Sequence, residues 1–217
     1  AGSKPLSRIG ARVSAEGAAA YLKAKTAELF ADIPALKSGL AADLSSAEFM
    51  AACGRIAPLV QEAAREAFAA QQKTLKELSE DKKYEDALGR KPVIGDLSTT
   101  FLAAVIVPVE VGGKPQTFMA CVQIGDGCIC AIDSTADSSR CLKLMGEADS
   151  GAFSGETDFL SEKNSKTELI GAKTRISRGN SDTVLLMSDG VADDYLPALP
   201  MMERLYIDLC LNGILTM

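Results

Sequence analysis

The chain has 217 residues, 47% of them apolar, 24% charged and 5% aromatic, which is enough for one good core and too hydrophobic for a disordered chain. It contains no histidine, which excludes Ser-His-Asp and Cys-His catalysis, histidine-ligated haem and the two-histidine zinc helix. With 23 basic and 29 acidic residues the net charge is −6, so nucleic acid is not an expected partner, and no apolar run nears the roughly 20 residues of a membrane span.

The first part of the chain reads as helical. From Ser7 to Phe30, Ile9, Val13, Gly17, Ala20, Leu22 and Leu29 recur at helical spacing in an alanine-rich context. Ile33-Pro34 and Lys37-Ser38-Gly39 interrupt it. A second helix is predicted after Asp43, where Ser45 and Glu48 are spaced as a capping box. Its stripe is Phe49, Cys53, Ile56, Val60, Ala63 and Ala67, and Pro58 is expected to kink it. Gln71 to Asp86 is polar and is expected to fray into a loop.

After Pro92 the period changes. Ser98 to Val107 reads as a strand buried on both faces. Gly112-Gly113 is a hairpin signal, Gln116 to Ile124 the return strand, Gly125-Asp126-Gly127 a second tight turn and Cys128 to Asp133 a third strand. This pattern is an antiparallel meander, not a βαβ array. Short strands are predicted at Cys141–Met145, Lys166–Ile170 and Thr174–Ser177, with a surface loop at Ala148–Thr157. Thr183 to Met187 is a strand ending in Ser188-Asp189-Gly190, and Pro200 to Leu211 is a final amphipathic helix. One α+β domain over 1–217 is expected, helical over 1–86, strand-rich over 93–190 and closed by a helix over 199–212. The cysteines at 53, 121, 128, 130, 141 and 210 form no CxxC pair, so they read as buried reduced thiols of a cytosolic protein, not as a zinc site or disulfide framework.

The aspartates at strand ends are the candidate functional residues. Asp126 sits in a turn between two apolar strands, Asp189 ends the strand before it, and Asp193 and Asp194 follow in the next turn. Carboxylates at a sheet rim can converge on one point, and without histidine their natural guest is a hard cation, Mg²⁺ or Mn²⁺. Taken singly, each is better read as a turn or cap residue, because Asp-Gly is common hairpin chemistry. Only the combination changes that balance.

Four ordered stretches resemble the metal-dependent serine/threonine protein phosphatases of the PPM class (type 2C), in their bacterial form. They are Ala1-Gly2-Ser3 with Ser7, Gly10-Ala11-Arg12 and Ala15; Thr99-Thr100-Phe101-Leu102-Ala103-Ala104-Val105; Ile124-Gly125-Asp126-Gly127; and Leu185-Leu186-Met187-Ser188-Asp189-Gly190-Val191-Ala192-Asp193. The resemblance implies a four-layer α-β-β-α sandwich, two antiparallel sheets face to face with a helix pair on each side. It also implies dephosphorylation of phosphoserine and phosphothreonine in proteins, with two or three Mn²⁺ or Mg²⁺ ions activating a water for in-line attack on phosphorus. By position Asp189 would be a ligand of the paired metals. Asp126 and Asp193, with Asp189, would match a weaker third-metal site, and Gly190 would let the backbone turn tightly beside the metals. Implied partners are a phosphoprotein substrate and a Ser/Thr kinase, with no nucleic acid and no membrane, in the cytoplasm.

The family's first Asp-Gly ligand would precede Ala1 and its last aspartate would follow Met217, so a fragment of a longer domain is expected. Asp208, within a helical pattern, does not take that role. This departure keeps open a catalytically inactive phosphatase-like interaction domain. A third reading is an unrelated α+β binding domain whose Asp-Gly pairs are only turns.

Overall fold

The computed structural model describes residues 4–32, 46–111, 113–136, 142–146, 158–195 and 199–215. Helix α1 spans Ser7–Asp32 and α2 spans Ser46–Glu80. They pack together through small side chains: a Cβ on Gly17 would lie 2.9 Å from Ala70 Cβ, and Ala18, Ala63 and Ala67 are buried. Alanine therefore serves twice here, as a helix former and as the residue that lets two helices approach closely. The span of α2 runs through Pro58 as one element, anchored on either side by buried Ile56, Leu59 and Val60.

The predicted fraying from Gln71 to Asp86 does not occur. Gln71 is fully buried; its Nε2 donates to Ser14 Oγ at 2.9 Å and to Leu97 O at 3.3 Å. That amide ties α2 to α1 and to the 3-10 turn Ile94–Leu97, so a polar residue holds the helix in place instead of ending it. Helix α3, Lys82–Leu88, follows; Asp81 caps it by accepting from Lys83 N at 3.0 Å.

The strands form two antiparallel sheets of three. β1 (Phe101–Val111), β2 (Lys114–Ile124) and β5 (Thr174–Gly179) lie in the order β1-β2-β5. β3 (Cys128–Ile132), β4 (Leu142–Leu144) and β6 (Thr183–Met187) lie in the order β4-β3-β6. The first hairpin is as the sequence predicts, with Val111 paired to Lys114 around the glycine turn. The meander, however, stops there. β2 and β3 belong to different sheets, so Gly125-Asp126-Gly127 is a corner between sheets and not a hairpin. β1 is also not buried on both faces. Phe101, Ala103, Val105, Val107 and Val109 are buried, whereas Ile106 is 46% exposed.

Lys166–Ile170, read as a strand, lies mostly in helix α4, Thr167–Ala172. Ile170 is its one buried residue, and α2 clamps its start: Arg65 Nε donates to Ser165 O at 3.1 Å and Nη2 to Thr167 Oγ1 at 3.3 Å. So short an apolar run carries no period, and tertiary contacts decide its state. The C-terminal helices are α5, Asp189–Tyr195, and α6, Leu199–Leu211. No helix among the described residues is long and apolar enough to cross a membrane.

Three apolar clusters hold these elements. One joins Ile56, Val60 and Ala67 to Phe101, Val105, Phe118 and Val122. A second joins Met119 and Cys121 of β2 to Ile129 and Ala131 of β3. The third joins Cys128, Cys130 and Ile132 to Met187, Ala192 and Leu205. The period-2 alternation of β2 and of β3 thus serves two clusters at once. Cys121, Cys128 and Cys130 are buried free thiols, as expected, and burial pushes the Cys121 thiol up to about 11. The predicted loop Ala148–Thr157, Ser45 and Cys141 lie outside the described residues, as does the Cys53 side chain.

The 3-10 turn carries an ion pair that the sequence did not signal. Arg90 holds buried Asp96 with both arms, Nη2 to Oδ1 at 2.6 Å and Nη1 to Oδ2 at 2.8 Å. The Arg90 hydrogen bond holds the Asp96 carboxyl below the usual carboxylate range, outweighing the opposing effect of burial. A depressed folded pKa contributes stability above the unfolded value near about 3.9, and that contribution disappears as pH falls through the folded value. Arg90→Ala is therefore expected to lower the urea midpoint at pH 7 and to flatten the acid limb of the stability profile. A variant profile parallel to wild type from pH 7 to pH 3 would refute this.

Candidate functional site

The last pair of the β3–β6 ladder is Cys128 with Met187. Asp126 lies two residues before Cys128, and Asp189 two residues after Met187. Because the strands are antiparallel, both aspartates leave the same end of the ladder. Two residues of extended chain cover about 7 Å, so neither can travel far from that end.

The corner that carries Asp126 is built from glycines. Gly125 has φ 111°, and a Cβ there would lie 2.4 Å from Thr100 Cγ2 and 3.2 Å from Asp158 O. A Cβ on Gly127 would lie 2.6 Å from Met187 O and 2.8 Å from Leu102 Cδ1. The chain can switch sheets here only because neither position has a side chain. The half-buried Asp126 is held between two fixed points, one against Thr100 and the other against the end of β6. The Thr99-Thr100 pair thus precedes β1 and walls this corner.

Asp189 opens α5. Its Oδ1 accepts from Gly190 N at 2.9 Å, which orients the carboxylate. The Ser188 carbonyl accepts from Val191 N at 3.1 Å and from buried Ala192 N at 2.9 Å, so the chain passes from strand to helix without a loop. Ser188 is exposed. Asp193 and Asp194, expected in a turn, lie within α5, and their side chains are outside the described residues. Gly190 is also helical. Its φ is not positive and a Cβ there would meet nothing within 4 Å, so neither conformation nor space demands glycine. Asp208 lies in α6 and pairs with Arg204 at 3.9 Å.

One neighbour of the corner was not singled out from the sequence. Asp158, whose carbonyl abuts Gly125, pairs with Lys173 Nζ at 3.0 Å. Burial pushes its carboxyl up, but the Lys173 hydrogen bond and charge outweigh this and leave it below the usual range. Only a register linking the 158–160 segment to Thr99, through Leu160 N and Thr99 O at 2.9 Å, brings it here.

Carboxylates are suitable donors for a hard divalent ion. Asp126 and Asp189 fit as part of such a set. Among the described residues, no three Asp, Glu or Cys side chains are grouped to hold a metal. A family model, Protein phosphatase 2C, matches residues 1–209. The chain belongs to the protein phosphatase 2C family. No curated protein and no solved structure matches it. Membership sets the chain among phosphatases, and the match spans both aspartate-bearing segments as well as α1 and β1.

Proposed function

We propose that this protein phosphatase 2C family member removes phosphate from phosphoserine and phosphothreonine in proteins with the help of Mn²⁺ or Mg²⁺. The observation that carries the reading is the exit of Asp126 and Asp189 from one end of the β3–β6 ladder, inside the family match. When bound, the ion supplies acidification of water and neutralisation of phosphoryl charge. The chain's own part is to hold donors. Gly125 and Gly127 fix the Asp126 corner, and Gly190 N–H orients Asp189. Asp193, one helical turn after Asp189, is proposed as a third donor.

The three apolar clusters support the finer fold reading, in which α1 and α2, the first sheet, the second sheet, and α5 and α6 stack as four layers in one domain. A phosphoprotein substrate, a partner Ser/Thr kinase and a cytoplasmic setting belong to the same proposal. A non-catalytic phosphatase-like domain is the second reading, favoured by the incomplete acidic set among the described residues.

Hydrolysis of a phosphothreonine peptide separates the two. Turnover is expected to require Mn²⁺, to stop with chelator, and to fall at least about 100-fold in Asp189→Ala, a loss near 2.7 kcal/mol of transition-state stabilisation. A folded chain with no Mn²⁺-dependent turnover would support the non-catalytic reading.

A further inference from the structure

We propose that the cavity between α2, the 3-10 turn Ile94–Leu97 and the segment 160–166 binds an amphipathic organic anion, with an acidic head on an apolar body. The cavity measures about 760 Å³, a size typical of small-molecule pockets. Its walls are apolar where Phe68 and Leu75 of α2 face Ile94 and Leu160. Its charged groups are Lys76 on one wall and Lys163 and Lys166 on the other, against the single carboxylate Glu162 in the described lining.

All three lysines are exposed, and Lys163 also acts by its charge on the Asp158 carboxylate; what distinguishes them from other unpaired surface lysines is that they line one apolar cavity. Elsewhere Lys25, Arg65, Arg90 and Lys173 each pair with a carboxylate, but Lys76, Lys163 and Lys166 have none within ion-pair distance among the described residues. An anion between them would gain charge-assisted hydrogen bonds from both walls. A neutral apolar molecule would use the lining but leave the lysines unpaired, and a small inorganic anion would use the lysines but leave the lining wet. Only a ligand with both parts matches the whole cavity.

The site is also preformed. The 160–166 wall is fixed by Leu160 N to Thr99 O at 2.9 Å, Asn164 Nδ2 to Phe159 O at 2.8 Å and Arg65 Nε to Ser165 O at 3.1 Å. A ligand would therefore have little ordering cost to overcome. The cavity is lined by neither Asp126 nor Asp189, so the inference does not depend on the phosphatase reading.

The probe is 2-naphthalenesulfonate, which phosphatases cannot hydrolyse. The chain has no tryptophan, so naphthalene fluorescence reports binding over tyrosine alone. Saturable binding is expected, with Kd raised at least about 10-fold in the triple variant Lys76→Ala, Lys163→Ala, Lys166→Ala and for the neutral analogue 2-naphthalenemethanol. The triple Lys→Arg variant should restore binding. Amide hydrogen exchange on the wild-type chain provides a test that does not depend on variant folding, and protection is expected over 68–76 and 160–166. Absence of saturable binding, an unchanged Kd in a folded triple variant, equal affinity for the neutral analogue, or protection confined to other segments would overturn the proposal.

Discussion

Gly125→Ala is expected to lower the unfolding free energy by about 3 kcal/mol. Two costs add. A side chain at φ 111° is strained by about 1–2 kcal/mol whatever the space around it. The added Cβ would also meet Thr100 Cγ2 at 2.4 Å and Thr100 Cβ at 2.7 Å, and overpacking of this kind costs about 1–3 kcal/mol. The second contact matters more than the first, because a Cβ cannot swing aside as a side-chain tip can. For a chain of this size the loss corresponds to a Tm roughly 6–12 °C lower. Urea unfolding measures it directly, and a loss under about 1 kcal/mol would mean that the corner is looser than described. Asp126→Asn keeps the side chain's size and backbone conformation and should cost well under Gly125→Ala, which separates the corner's structural task from the carboxylate's chemical one.

Gly10→Ala is the second large expected effect, and its sign is decided by magnitudes. Alanine in place of glycine inside a helix normally stabilises by about 0.5–1 kcal/mol. Here the new Cβ would sit 1.9 Å from Leu97 O and 2.7 Å from Leu97 C. Both are backbone atoms, held in turn by Gln71 Nε2 on Leu97 O, so α1 must move away from the 3-10 turn. A cost of about 1–3 kcal/mol from overpacking, joined by loss of the buried Gln71 bonds at about 1–3 kcal/mol, outweighs the propensity gain. A net loss of about 2 kcal/mol is expected. Gly54→Ala is the matched control: exposed, in α2, with nothing within 4 Å of its Cβ. It should stabilise by about 0.5–1 kcal/mol. If both variants shift stability in the same direction, close approach is not what Gly10 provides.

The helices α1 and α6, the β1–β2 hairpin and strand β6 were legible because each is a local pattern: helical period, a glycine turn, or a continuous apolar run. What failed was non-local. Gly125-Asp126-Gly127 has the same letters whether β3 folds back on β2 or leaves for another sheet, and only pairing with β6, more than 50 residues away, decides which. Gln71 looked like the start of a frayed end because its polarity was visible and its partners, Ser14 and Leu97, were not. Lys166–Ile170 carried too few apolar residues to have a period. Asp126 and Asp189 were legible as candidates from their places at strand ends, and the family resemblance gave them a role; their common exit from one ladder is the geometric fact that the pattern alone could not supply. Asp158 and the Arg90–Asp96 pair went unseen for the same reason, since ion pairs depend on placement more than on motif.

Under the proposed function, Asp126 and Asp189 belong to one metal site. Manganese electron paramagnetic resonance tests it without requiring turnover, because the signal of free Mn²⁺ reports the bound fraction in a titration of the chain. Neither change should unfold the protein, since both aspartates are partly exposed. The predicted result is saturable binding by wild type, at least about 10-fold weaker in Asp126→Asn and in Asp189→Asn, with the double variant little worse than either single one, as expected for ligands that act as a unit. Binding unaffected by either substitution, or two classes of Mn²⁺ site of which each substitution removes a different one, would contradict the claim.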